Sequence, residues 1–171
     1  MKEVKIKVYT IKELNETAKE KALNLLREDN SYDFLSEDLE ERLRELLKDN
    51  KIKGDDLKIY YSLSYSQGDG VCFVGNFEYK DYLVFIKHIG NYNHKNSVEI
   101  DILDSESEVM EDGINKDICE EFKEIFDDIC DQLEKIGYNY IEYVDSEENL
   151  IDMCEINEYT FLENGEMFNS Y

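Results

Sequence analysis

Between Asn115 and Gly137 the apolar residues Ile118, Phe122, Ile125, Phe126, Ile129, Leu133 and Ile136 recur every three or four positions. Only an α-helix turns that spacing into one continuous stripe. Acids fill the gaps: Asp117, Glu121, Glu124, Asp128 and Asp131 fall opposite the stripe, with Glu120, Asp127 and Glu134 flanking them. A chain that carries this segment must supply a core for the stripe and leave a carboxylate-covered face to water.

The charge is concentrated rather than spread. Residues 101–171 hold 23 Asp and Glu against three Lys (Lys116, Lys123 and Lys135), so they carry nearly all of the net charge of −23. Self-repulsion of that size opposes compaction, so fold stability alone does not call for it. It points either to a surface that seeks a basic partner or to plain solubility. A strongly negative chain is a poor direct ligand for nucleic acid or anionic membranes. With 171 residues, 42% apolar and 12% aromatic, the composition argues for one folded α+β domain over residues 1–171 and against disorder. No apolar run reaches the roughly 18–20 residues that span a bilayer. Met1-Lys2-Glu3-Val4-Lys5 lacks the apolar region of a secretory signal. A cytoplasmic location is expected, and with it reduced, buried thiols at Cys72, Cys119, Cys130 and Cys154, which form no Cys-x-x-Cys pair. No cofactor or metal is expected. The carboxylates at Asp101, Asp104, Glu106, Glu108, Glu111 and Asp112 lack the ligand spacing of a calcium loop.

Lys2–Tyr9 alternates Val4, Ile6 and Val8 with Lys5 and Lys7, which predicts a half-buried strand. Thr10-Ile11-Lys12-Glu13 fits a capping box, with Asn15 as a rival cap one turn on. Ile11, Leu14, Ala18, Ala22 and Leu25 then follow at helical spacing. A second helix is predicted over Ser36–Asp49, its stripe formed by Leu35, Leu39, Leu43, Leu46 and Leu47. The middle of the chain reads as β. Leu57, Ile59, Tyr61, Leu63 and Tyr65 alternate, Val71, Phe73, Gly75 and Phe77 answer them, and Ser66-Gln67-Gly68-Asp69-Gly70 makes the hairpin turn. Tyr82–Ile89 and Ser97–Leu103 add two strands, which favours an antiparallel meander. Asp104–Gly113 reads as a loop. The acidic helix begins near Asn115, and Gly137 either ends or interrupts it. Tyr138–Val144 fits helix or strand, Ser146 caps another helix to about Ile156, and a short hairpin surrounds Glu163-Asn164-Gly165. The expected fold is α+β: an antiparallel meander with helices packed on one face and an acidic helical C-terminal part.

Two other segments hold possible chemistry. Gly68-Asp69-Gly70 joins strands and no Lys follows it, so a turn fits better than a phosphate cradle. His88-Ile89-Gly90-Asn91-Tyr92-Asn93-His94-Lys95-Asn96-Ser97 contains both histidines, the usual acid–base residues near neutral pH. No nucleophile–base spacing accompanies them.

The run Tyr61-Ser62-Leu63-Ser64-Tyr65-Ser66-Gln67-Gly68-Asp69-Gly70-Val71-Cys72-Phe73 resembles a motif of small acidic phage and prophage proteins. The His88…Gly90…Tyr92…His94…Ser97 segment and the ending Asn157-Glu158-Tyr159-Thr160-Phe161…Glu163-Asn164-Gly165 are similar to the same group. By size and charge the chain also resembles anti-defence inhibitors, including anti-CRISPR and antirestriction proteins that mimic DNA. The resemblance implies a non-enzymatic inhibitor. Its partner would be a basic nucleic-acid-binding complex of a host defence system, met through Asp117, Glu120, Glu121, Glu124, Asp127, Asp128, Asp131 and Glu134. No direct contact with nucleic acid or membrane is expected, and a homodimer is open through a free strand edge. The alternatives are a small-ligand or enzymatic module built on the SQGDG hairpin with His88 and His94, or an antitoxin-like partner of a basic toxin.

Overall fold

The computed structural model describes residues 5–104 and 116–168. In chain order the elements are a 3-10 turn at Ile11–Glu13, α1 (Glu16–Glu28), α2 (Leu35–Asp49), β1 (Ile52–Ser62), β2 (Gly70–Tyr79), β3 (Tyr82–His88), β4 (Val98–Asp104), α3 (Lys116–Val144) and α4 (Glu147–Ile156). The four strands form one antiparallel sheet in the order β1-β2-β3-β4, a meander, and the fold is α+β. Where the sequence reads as one domain, contacts gather the residues into two compact units: Met1–Tyr32 with Tyr140–Tyr171, and Asp33–Asn139.

In the first unit both candidate caps are used. Thr10 and Glu13 close the capping box of the 3-10 turn. Asn15 then accepts the Ala18 N–H at 3.0 Å and starts α1. Ser146 caps α4 in the same way through Asn149 N–H. The core holds Ile11, Leu14, Ala18, Ala22, Leu23, Leu26, Leu150, Cys154 and Phe161. Leu25, expected in the stripe, is instead exposed, because Ala18, Ala22 and Leu26 keep the four-residue step and turn it outward. The predicted strand over Lys2–Tyr9 is also corrected in its described part, from residue 5 on. Residues 5–8 have no strand and Ile6 is 55% exposed. Alternation alone does not make a strand without a ladder to join: Tyr9 exchanges two bonds with Phe161, and the chain after Phe161 folds back at once onto Met167. The terminal hairpin around Glu163-Asn164-Gly165 is present but short: Phe161 bridges Met167, with Leu162 N–H donating to the Glu166 carbonyl and Phe168 N–H to the Thr160 carbonyl, both at 2.8 Å. Val4 lies outside the described residues.

In the second unit β1 begins earlier than expected, carries a bulge between Asp55 and Lys58, and ends at Ser62. Leu63 and Tyr65 therefore leave the strand, and Ser62 pairs Gly70 across a seven-residue loop rather than a tight turn. Leu35, Leu39, Leu43 and Leu47 of α2 are buried as one stripe, with Leu46 at its margin. The α3 stripe packs on β2: the Phe126 ring lies 4.8 Å from Phe73, and Phe122 lies 5.5 Å from Tyr79. Each fully buried phenylalanine contributes roughly 2–3 kcal/mol of transfer free energy. Gly137 neither ends nor interrupts α3, which runs on through Tyr138–Val144. A Cβ at Gly137 would overlap Leu63 and touch Leu39, so glycine lets these side chains approach the helix. The predicted loop over Asp104–Gly113 lies outside the described residues, apart from Asp104 at the end of β4.

Three of the four thiols are buried. Burial pushes Cys72 and Cys154 up to about 11, and Cys130 higher still. Cys119 departs from the expectation: it sits in the first turn of α3, ahead of the first core ring Phe122, and is exposed. One thiol per chain should react rapidly with a disulfide reagent in the native protein, and three more only after unfolding. Fast titration of two or more native thiols would contradict this packing.

Candidate functional site

The eight carboxylates singled out from the sequence all lie on α3. Asp117, Glu120, Glu124, Asp128 and Asp131 are exposed, and Glu121, Asp127 and Glu134 are half-buried. They are not equivalent. Lys80, from the β2–β3 turn, bonds Glu121 at 2.6 Å, and the Tyr79 hydroxyl donates to the same carboxylate at 2.7 Å. The hydrogen bond from Lys80, then that from Tyr79, holds the Glu121 carboxyl below its usual range. Lys95, from the β3–β4 loop, reaches both oxygens of Asp131 at 2.6 and 2.7 Å. Within the helix Lys123 pairs Asp127 at 2.7 Å, and Lys116 lies 3.7 Å from Glu120. The uniform acidic face read from the sequence is thus half neutralised. Asp117, Glu124, Asp128 and Glu134 take no ion pair among the described residues. Exposed pairs of this kind add little to stability; their larger effect is on where the negative potential stays open.

A second constellation gathers at the β1–β2 loop. Oδ1 of Asp69 accepts the hydroxyls of Ser62, Ser64 and Ser66 at 2.9, 3.1 and 3.0 Å. Oδ2 accepts Ser64 N–H at 2.6 Å, Ser66 N–H at 2.9 Å and the Tyr138 hydroxyl at 2.9 Å. The intervening Tyr65 N–H bonds the Tyr138 oxygen. Consecutive backbone N–H groups of this kind form an anion-binding concavity, and here the chain fills it with its own carboxylate. Burial alone would raise the Asp69 pKa, but hydrogen bonds from Ser66, Tyr138, Ser64 and Ser62 outweigh it and hold the group ionised well below the usual range. Burial, then the bond to Asp69, pushes the Tyr138 phenol up to about 12, so it stays a donor.

The histidine segment packs on this loop. A Cβ at Gly68 would stand 3.0 Å from the Tyr92 ring, and one at Gly70 2.8 Å from His94 Cδ2. Asn93 donates to the Tyr61 carbonyl at 2.9 Å. His88 stacks on Tyr60 at 4.6 Å, and its Nε2 lies 3.0 Å from the Tyr92 carbonyl. His94 Nδ1 accepts the Asn96 N–H at 3.1 Å. Both imidazoles therefore shape the loop. Sequence reasoning missed the Asp69–Tyr138 pair. Its signal was the every-second-residue serine series Ser62, Ser64 and Ser66, which aims three hydroxyls at one acceptor.

The fold and these two constellations define a small α+β protein whose most open feature is an acidic helix. No protein-family model, no curated protein and no solved structure matches the chain. Among the described residues, no helix is long and apolar enough to cross a membrane.

Proposed function

We propose that this protein is a non-enzymatic anti-defence inhibitor that occupies a basic nucleic-acid channel with the acidic face of α3. The observation that carries the reading is the strip of carboxylates that take no ion pair among the described residues. Asp117, Glu124, Asp128 and Glu134 span about 26 Å at the helical rise, so the open acids stand on average about 8–9 Å apart along the helix. One strand of duplex DNA carries one charge per about 3.4 Å of axis, so the open carboxylates form a sparser row of the same sign, which a basic channel would attract. The strip is fixed by Phe122 and Phe126 beneath it and by Lys80 and Lys95 at its margins, so it is presented without further ordering. An antitoxin-like role would use the same face on a different basic partner. A small-ligand role at the β1–β2 loop has less support, since its donors are taken by Asp69.

The reading is tested by protection of plasmid DNA from a panel of restriction and RNA-guided nucleases. The wild-type chain should inhibit at least one enzyme. The combined variant Asp117→Asn, Glu124→Gln, Asp128→Asn and Glu134→Gln should need at least about tenfold more protein, or about 1.4 kcal/mol of lost binding. Equal inhibition by the two would remove the acidic strip from the account.

A further inference from the structure

Among the described residues of the Asp33–Asn139 unit five large apolar side chains are exposed, and Tyr65, Ile89 and Tyr92 lie on the two loops that pack together at one end of the sheet. Tyr65 is 66% exposed although its backbone is left-handed, with φ 57. That conformation is unfavourable for an L residue with a bulky side chain, and it persists only where the surroundings over-determine it. The surroundings here do so: Asp69 binds the N–H groups on either side of Tyr65, and the Tyr65 ring lies 4.6 Å from that of Tyr138. Tyr92, 64% exposed, rests its ring edge over Gly68, where a Cβ would stand 3.0 Å from it. Both rings thus present a face to solvent, and Tyr65 is also fixed through its backbone.

Beside Tyr138 runs a shallow groove of about 400 Å³ lined by Asp131, Glu134, Lys135, Tyr138 and Asn139. Lys95 holds Asp131, while Glu134 takes no ion pair among the described residues and closes the open strip of α3 at this end. Aromatic faces attract cations, and a guanidinium stacks on them flat where an ammonium does not. Tyrosine and arginine are also the side chains that dominate contact energies at interfaces.

Resting on the reading of α3 as the docking face for a basic partner, we infer that Tyr65 and Tyr92 each offer a ring face to an arginine of that partner, with Glu134, on the same groove as the Tyr138 that Tyr65 packs against, supplying the nearby negative charge. The strip on α3 supplies the attraction and the rings supply the preference for arginine over lysine.

The test is fluorescence anisotropy of labelled nona-arginine and nona-lysine on the full chain at low salt. Nona-arginine should bind about fivefold tighter. Tyr65→Gly, which keeps the left-handed backbone, and Tyr92→Ala should each bring nona-arginine down toward nona-lysine while leaving nona-lysine unchanged. The combined Asp117→Asn, Glu124→Gln and Asp128→Asn variant should weaken both peptides alike. A preference for nona-arginine that survives loss of both rings, or no preference in the wild type, overturns the arginine site and leaves the reading of α3 standing. Failure of both peptides to bind sinks that reading and this one with it. Self-association in ultracentrifugation that Tyr92→Ala abolishes makes a second copy the occupant and likewise overturns the proposal.

Discussion

Replacing Asp69 with asparagine should destabilise the Asp33–Asn139 unit by about 3 kcal/mol at pH 7. Hydrogen bonds to a charged acceptor are worth about 1.5–3 kcal/mol each when shielded, and the partial exposure of this loop discounts the sum of six. An amide cannot replace the carboxylate, because one of its two ends donates and would face the Ser64 and Ser66 N–H groups or the serine hydroxyls. The pH dependence has a definite sign. The folded-state pKa of Asp69 is depressed, so its contribution is present above the unfolded value of about 3.9 and is lost as pH falls from there toward the folded value. Urea unfolding curves for wild type and Asp69→Asn should therefore be well separated at pH 7 and draw together between about pH 4 and pH 2. Coincident curves at pH 7 would mean that the carboxylate does not hold this loop.

Gly165→Ala should cost the Met1–Tyr32 and Tyr140–Tyr171 unit about 3 kcal/mol. Gly165 is buried at φ 83, and a Cβ there would overlap the Ala18 carbonyl, which belongs to the backbone of α1 and has little room to yield. The left-handed backbone accounts for about 1–2 kcal/mol and the overlap for about 1–3 kcal/mol. Gly90 provides the control: its φ is 79, but nothing lies within 4 Å of a Cβ, so Gly90→Ala should show the conformational part alone. Thermal unfolding of the two variants measures the difference. Equal losses would show that the Ala18 contact is not what demands glycine at 165.

Much of the fold was legible because it depends on local signals. The α3 stripe, the caps at Asn15 and Ser146, and the alternation in β2 each encode their element within a few residues. What was illegible depends on partners distant in the chain. Val4, Ile6 and Val8 alternate as a strand would, yet a strand requires a ladder, and the Phe161 segment offers one bridge. Gly137 looks like a helix stop until Leu63 is placed against it. The acidic face was legible as a row of carboxylates. That Lys80 and Lys95, 41 and 36 residues away, would neutralise Glu121 and Asp131 was not, since both lysines sit in ordinary turn sequences. The structure accordingly moves the weight of the candidate site from a uniform row of eight acids to Asp117, Glu124, Asp128 and Glu134. A charge reversal at Glu121 or Asp131 would disturb the contacts with Tyr79 and Lys80 or with Lys95 along with the surface.

The central claim is that α3 binds a basic nucleic-acid channel through those open carboxylates. The most direct measurement is the affinity of the chain for a nuclease that it inhibits, titrated from 50 to 300 mM salt, for the wild type and for the variant neutralised at the four positions. The account predicts that log affinity falls linearly with log salt for the wild type, that the variant is weaker at low salt, and that its slope is visibly shallower. An affinity indifferent to salt, or equal slopes for the two chains, would contradict it.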